Sequence, residues 1–430
     1  DLPADLSPLI KTLRERLEQA GVKGFTPAGD TEVAQTVGLM IRLGVAMRTS
    51  DIHLGPYVRS GGQERMAVLS YRVDGVLSRV AEFDIRLLAA IIAQWKTMAA
   101  CNVQEKLRPQ DGRILISLGD VQKEVDLRVS FLPAVYGESV TARVLDASAV
   151  RLDLDRIGYA PRMREKLLRC LKAPWGVILL TGPTGCGKTT ALYACLNHVA
   201  SPQLKVITVE NPVEFMLPNV LHTEVRAHLG ATFAVMLRSV LRSDPDVVLV
   251  GEIRDRETLL VSQQTALTGH LVLTTLHTND AAGALTRMVD IGSDPFIIGD
   301  STKLIIAQRL VRLLCPECSV ERMPSRELLD DAAKVARAGG LDWDSLAQKF
   351  REPVGCAKCN NLGFRGRDVI AEALEVTPEI AAALRRGAKP DELRAIAVGQ
   401  GMVTMAADGI QKAASGKTSL REVLVTVGMR

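Results

Sequence analysis

Trp175-Gly176-Val177-Ile178-Leu179-Leu180 runs into Gly182-Pro183-Thr184-Gly185-Cys186-Gly187-Lys188-Thr189, and that loop runs into Thr190-Ala191-Leu192-Tyr193-Ala194-Cys195-Leu196. The first run reads as a buried strand and the last as a helix. The loop between them fits G-x-x-x-x-G-K-(S/T), the phosphate-binding pattern, in the strand–loop–helix context that gives the pattern meaning. Its glycines let backbone N–H groups face an anion with no Cβ in the way. The helix start adds the positive end of its dipole. Lys188 is placed to reach the β- and γ-phosphates of a nucleotide, and Thr189 to hold Mg2+. The alternative, a chance glycine turn, has no need of the flanking strand and helix.

Downstream of the loop, short apolar runs alternate with helical spacing: Val206 to Val209, Val247 to Val250, and Leu271 to Thr275. That rhythm predicts a parallel sheet covered on both faces, an α/β domain. Upstream the pattern is mixed. Residues 31–48 and 87–98 have helical spacing, residues 66–80 alternate in strand fashion around Asp74-Gly75, and strand signals recur at 114–116, 125–131 and 139–145. The expected organisation is a helical piece (8–19) and linker over 1–30, an α+β domain over 31–146, a linker over 147–162, and the α/β domain over 163–430. The last of these includes a cysteine-bearing subdomain at 310–367 and a helical tail.

Bulk properties narrow the function. A chain of 430 residues accommodates two or three domains. Aromatic content of 4% argues against base-stacking platforms for single strands. A net charge of +4, from 53 basic and 49 acidic residues, does not demand a polyanion, so no nucleic-acid partner is expected. The longest apolar run, Leu87 to Ala93, is far too short to span a bilayer, and no secretory signal is visible. The sequence starts at Asp1 rather than Met, so a preceding segment is expected.

Hydrolysis at a phosphate loop needs an acid for metal and water, and positive charge on the γ-phosphoryl group. Asp244-Pro245-Asp246-Val247-Val248-Leu249-Val250-Gly251-Glu252 supplies an apolar strand that ends in an acid. Glu252 is expected at the carboxyl end of its strand, where open α/β sheets bind ligands. Asp246 falls at the other end and reads as structural. Glu210-Asn211-Pro212-Val213-Glu214 follows the strand 206–209, and its two carboxylates suit hydrated Mg2+ or a nucleophilic water. A solvated loop would explain that pair nearly as well. His270 and His277 flank the strand 271–275. His277 falls at its carboxyl end near the expected nucleotide, whereas His270 senses or packs.

Four of the eight cysteines form Cys315-Pro316-Glu317-Cys318 and Cys356-Ala357-Lys358-Cys359, with 37 residues between the pairs. Four thiolates are the preferred ligands of structural Zn2+, and the knuckle amides are natural donors to the sulfurs. A redox dithiol pair is the other reading. Gly416-Lys417-Thr418 only imitates a phosphate loop: Gln411 stands where glycine is needed and no strand precedes it, so it reads as a turn.

With these residues in view, the chain resembles the bacterial secretion and type IV pilus assembly ATPases, the traffic motors of the type II secretion superfamily, over about residues 31–430. The stretches that carry the resemblance are Ser50-Asp51-Ile52-His53-Leu54, Arg108-Pro109-Gln110-Asp111-Gly112-Arg113, Gly182 to Thr190, Glu210 to Glu214, and Leu241 to Asp246. Gly251-Glu252-Ile253-Arg254-Asp255 and Thr268 to Asp280 complete the set. The paired cysteines look like those of the zinc-containing assembly branch.

The resemblance implies a PAS-like α+β domain followed by a RecA-like ATPase domain with a tetracysteine zinc subdomain. It implies a cytoplasmic homo-hexamer, peripheral at the inner membrane, using ATP, Mg2+ and Zn2+ and working with platform and anchoring proteins. It assigns ATP contacts to Gly182 through Thr190, and to Arg143 and His270. Glu210 and Glu214 become an acidic box and His270 and His277 a histidine box. Arg113 and Arg128, with Arg143 as a third, become the arginines that reach the γ-phosphate. Three positions depart from the pattern: Asn211 for Asp, Cys186 for Ser and Gly55 for Glu. The alternatives are a nucleic-acid or conjugative translocation motor and a nucleotide-gated scaffold with little hydrolysis, the latter supported only by Asn211.

Overall fold

A computed structural model describes residues 5–19, 31–59, 64–118, 123–145, 153–359 and 361–428. The chain divides into two units, Asp1–Val150 and Arg151–Arg430. The stretches 20–30 and 147–152 of the expected linkers lie outside the described residues.

The first unit contains α1 (Ser7–Gln19), α2 (Glu32–Ala46), β1 (Asp51–Val58), β2 (Arg65–Val73), β3 (Val76–Asp84), α3 (Leu88–Met98), β4 (Gln110–Leu118), β5 (Lys123–Ala134) and β6 (Gly137–Leu145). The strands form one antiparallel sheet in the order β3-β2-β1-β6-β5-β4. The β2–β3 hairpin turns on Asp74-Gly75, both with positive φ, as a two-residue turn requires. Thr31 caps α2 by accepting the Ala34 N–H at 3.2 Å. Leu9, Leu13 and Leu17 recur every fourth residue of α1 and bury in the same core as Met40, Ile52, Tyr71, Trp95 and Phe131. The N-terminal helix is therefore part of this unit's core.

The second unit is built on a larger sheet: β7 (Gly176–Thr181), β8 (Val206–Glu210), β9 (Val220–Glu224), β10 (Val247–Val250), β11 (Leu271–Leu276), β12 (Thr302–Leu314) and β15 (Phe364–Glu375). A two-stranded ribbon, β13 (Val320–Glu321) and β14 (Arg351–Glu352), stands apart. The order is β15-β12-β7-β11-β10-β8-β9, parallel except for β15. Alternate residues of β7 enter different cores. Val177 and Leu179 join Val248, Val250 and Val272 on one face, while Ile178 and Leu180 join Leu249, Leu271 and Leu273 on the other. Burial on both faces is why these strands read as unbroken apolar runs.

The helices are α4 (Pro161–Leu171), α5 (Lys188–Val199), α6 (Phe233–Val240), α7 (Arg256–Leu267), α8 (Ala281–Ile291), α9 (Pro295–Ser301), α10 (Arg326–Ala338), α11 (Pro378–Arg385), α12 (Pro390–Gly399), α13 (Met405–Ala414) and α14 (Leu420–Thr426). The segment between the two cysteine pairs holds α10 and the β13–β14 ribbon. Its Trp343 and Phe350 pack with Met405, Ile410 and Leu420 of the tail. Gly416-Lys417-Thr418 is a turn after α13 that clasps the tail to β12: Lys417 O accepts the Leu314 N–H at 2.9 Å, and the Thr418 hydroxyl donates to Arg312 O at 2.8 Å.

Candidate functional site

Because β7, β8, β10 and β11 are parallel, their carboxyl ends lie along one edge of the sheet. That edge presents Gly182–Thr189, the 210–214 turn, Glu252 and His277 together, at the position where open α/β sheets bind ligands. The loop geometry is set by glycine. Gly182, Gly185 and Gly187 all have positive φ, and a Cβ on Gly182 would stand 2.4 Å from Gln308 O. Gly187 caps α5 in the left-handed region.

Lys188 Nζ donates to Gly182 O (2.7 Å) and Pro183 O (3.0 Å), inside the loop it serves. Burial depresses its pKa, against the opposing pull of Cys186 and Glu252. Burial pushes the Cys186 thiol up, so this residue is a neutral space-filler beside Lys188. Its Sγ lies 2.7 Å from where a Gly182 Cβ would be, a second reason for glycine there. Thr181, the last residue of β7, ties the loop to the end of β11: its hydroxyl bonds Thr278 Oγ1 at 2.8 Å and accepts the Thr278 N–H at 2.8 Å. Thr189 and Thr190 are exposed in the first turn of α5.

Glu252 is half-buried just past β10. The bonds Gly251 N–H to Val209 O and Ile253 N–H to Thr275 O, both 2.9 Å, hold it between β8 and β11. One carboxylate oxygen takes Arg254 at 2.5 Å and the other faces His277 Nε2 at 3.7 Å. The carboxylate raises the Arg254 pKa. Asp246 sits at the opposite end of β10 and accepts the Lys205 N–H at 2.6 Å, a structural role.

Glu210 is buried, and both its oxygens are engaged. Tyr193 OH donates to Oε2 at 2.5 Å, and His222 Nδ1 stands 3.1 Å from Oε1. His222 Nε2 accepts the Leu217 N–H at 3.0 Å, so Nδ1 carries the ring proton and donates to Glu210. The Tyr193 oxygen accepts the N–H groups of Glu214 (3.2 Å) and Phe215 (3.3 Å). A buried carboxylate–tyrosine–histidine network thus holds the 210–214 turn from behind, with a cis Asn211–Pro212 bond within it. Burial, then Glu210, push the Tyr193 phenol far up, so it remains a donor. Glu214 is half-buried on the turn and Asn211 is exposed.

The two histidines separate. His277 stands beside Glu252. His270 precedes β11 at the end away from the phosphate loop, where its Nδ1–H donates to Thr265 O at 2.8 Å, with Thr268 Oγ1 3.2 Å away. The expectation that His270 contacts the cofactor is corrected on this point. Its backbone pairs with Gly176 at the start of β7, about 20 Å of strand from the loop.

In the first unit, strand register aligns Arg113, Arg128, Arg143, Asp51 and Arg72 in one row across β4, β5, β6, β1 and β2. Asp51 lies 3.1 Å from Arg143 and 3.9 Å from Arg72, and Asp126 binds Arg113 through both oxygens at 2.8 and 2.6 Å. This spacing keeps four cations on one face of a sheet, where like charges directly opposite each other are otherwise costly.

Cys315, Cys318, Cys356 and Cys359 come together with all four sulfurs within 4.8 Å. The Cys315–Cys356, Cys318–Cys359 and Cys356–Cys359 separations are 3.9, 3.8 and 3.8 Å. A tetrahedral ion with bonds of ~2.3 Å needs sulfurs about 3.8 Å apart, so the donor set fits zinc. Gly355 N–H points at Cys318 (3.3 Å), and Cys356 and Gly363 N–H groups point at Cys359 (both 3.2 Å). Burial works to raise the Cys359 pKa, but those amides and the neighbouring Cys356 and Cys318 thiols outweigh it and bring it down to about 7.

Tyr193, His222, Thr181 and Arg254 were missed from sequence. Tyr193 had a usable signal: a tyrosine on the buried face of a helix needs a partner for its hydroxyl.

Residues 27–425 match the type II/IV secretion system protein family. The chain is similar to the type II secretion system protein E of Dickeya dadantii, 40% identical over 395 residues, 92% of this chain and 76% of that protein. It is also similar to the type IV pilus assembly ATPase PilB of Myxococcus xanthus, 37% identical over 426 residues, 99% of this chain and 73% of that one. Among solved structures, the Legionella pneumophila ATPase DotB matches in fold with a TM-score of 0.64, at 20% identity, covering 94% of this chain and 96% of that chain.

Proposed function

This chain belongs to the type II/IV secretion system protein family, and from that premise we propose that it is an ATP-hydrolysing motor that powers assembly of a pilin-like filament, in type II protein secretion or type IV pilus extension. The observation that carries this reading is the convergence of the phosphate loop, Glu252 and the 210–214 turn on one sheet edge.

In this reading Gly182 to Thr190 hold the phosphates, and Lys188 turns from the loop carbonyls to the β- and γ-oxygens. Thr189 and Glu252 are the residues that would hold Mg2+, which when bound neutralises charge on those oxygens. Glu252 polarises the attacking water, with His277 beside it, and Arg254 must yield for that to happen. Both oxygens of Glu210 are occupied, which supports a role in fixing the turn so that Glu214 faces the water. Arg113 and Arg128, with Arg143, supply positive charge to the γ-phosphoryl group. The active form is a ring of six copies. Inner-membrane platform and anchoring proteins are its partners in this reading; among the described residues no helix is long and apolar enough to cross a membrane.

The test is in cells carrying Lys188→Ala at the native locus. Loss of surface filaments, or retention of the exported substrate, is expected at parental abundance of the variant. Filaments and export at parental levels would contradict the proposal.

A further inference from the structure

Ala307 pairs with Thr181, so the next residue of β12, Gln308, lies alongside Gly182. Its side chain is wholly buried. Nε2 donates to the Cys186 carbonyl at 2.8 Å, and Oε1 accepts the Tyr159 hydroxyl at 2.5 Å. The amide orientation follows from its partners: a carbonyl only accepts, so the nitrogen must face Cys186. Burial pushes the Tyr159 phenol far above its ordinary range, so it stays a donor.

In a trans peptide the C=O and the following N–H point in opposite directions. Holding the Cys186 carbonyl inward against Gln308 therefore aims the Gly187 N–H the opposite way, away from Gln308. We propose that Gln308, oriented by Tyr159, is the positioning residue that fixes the Cys186–Gly187 peptide so that its N–H meets the nucleotide phosphates. This rests on the reading of Gly182–Thr189 as an ATP loop. Tyr159 is itself seated by its neighbour. Gly158 has φ +92°, a Cβ there would stand 1.9 Å from Asp368 Oδ1, and its carbonyl accepts Lys412 Nζ at 2.8 Å. The segment by which the chain enters the second unit is thus wired to the phosphate loop through one glutamine.

Gln308→Met keeps the volume and loses both polar contacts, leaving the Cys186 carbonyl unpaired. The KM for ATP is expected to rise about tenfold, with kcat within about twofold, since the contact serves ground and transition states alike. Tyr159→Phe, which removes one hydroxyl, is expected to raise KM about threefold, and to add nothing in the Gln308→Met background. In the chain without nucleotide, amide exchange across 182–190 is expected to quicken in both variants. That readout tests the pinning even if the parent fails to bind ATP, and Lys188→Ala beside the parent tests the ATP reading separately. Unchanged exchange in both variants, or an unchanged KM in a parent that binds ATP, would overturn the proposal. Should Gln308→Met fold poorly, Tyr159→Phe decides.

Discussion

Glu252→Gln is expected to cut steady-state ATP turnover by about 10²–10³-fold while leaving ATP affinity within about threefold. The substitution keeps size and hydrogen-bonding reach and removes only charge and basicity. Glu252 is the acid at the centre of the sheet edge, held between the ends of β8 and β11 by backbone bonds from Gly251 and Ile253. Its side chain is 16% exposed, enough to meet a water and too little to swing away. Glutamine also releases Arg254, so a modest gain in nucleotide affinity accompanies the loss of turnover. The measurement is kcat beside direct nucleotide binding, with Glu214→Gln in parallel. Parental turnover in Glu252→Gln combined with loss in Glu214→Gln would move the water-activating role to the 210–214 turn.

The second large effect lies at the four cysteines. The purified chain is expected to carry about one zinc, and Cys318→Ser or Cys359→Ser to lose it. The sulfurs close the ends of β12 and β15, since Cys315 N–H bonds Gly363 O at 3.0 Å across the pair. Losing the ion therefore loosens the edge of the main sheet and the shared core of Trp343, Phe350 and the tail helices. A loss of at least about 4 kcal/mol is expected, roughly 10 °C in Tm. Zinc content by elemental analysis and thermal melting check this. A zinc-free chain whose serine variants melt with the parent would refute it.

The elements differ in how much of them is legible in the sequence. The phosphate loop, the acid after β10 and the cysteine pairs were legible because each is a local pattern with its own chemistry. The turn at Asp74-Gly75 was legible because only a few residues accept its backbone. The long strands β12 and β15 were not. Lys303-Leu304-Ile305-Ile306-Ala307-Gln308-Arg309-Leu310-Val311 has no strand alternation, because its first half is buried on both faces, Ile305 and Ala307 in one core and Leu304 and Ile306 in the other. Gln308 itself looked like a polar interruption, and its purpose appears only when Tyr159, 149 residues earlier, is beside it. Glu210 was legible as an acid at a strand end. What it does was hidden, because Tyr193 and His222 reach it from a helix and from a neighbouring strand. Spacing along the chain reports faces and ends of elements, and these contacts depend on which elements the fold brings side by side.

Mg2+-dependent ATP hydrolysis by the purified chain over a concentration series, beside Lys188→Ala, is the measurement that decides whether this phosphate loop drives a motor. Turnover per chain is expected to rise with concentration, as copies assemble and complete one another's sites, and to disappear in the variant. Turnover equal in parent and variant would contradict the assignment of this phosphate loop as the seat of the chemistry.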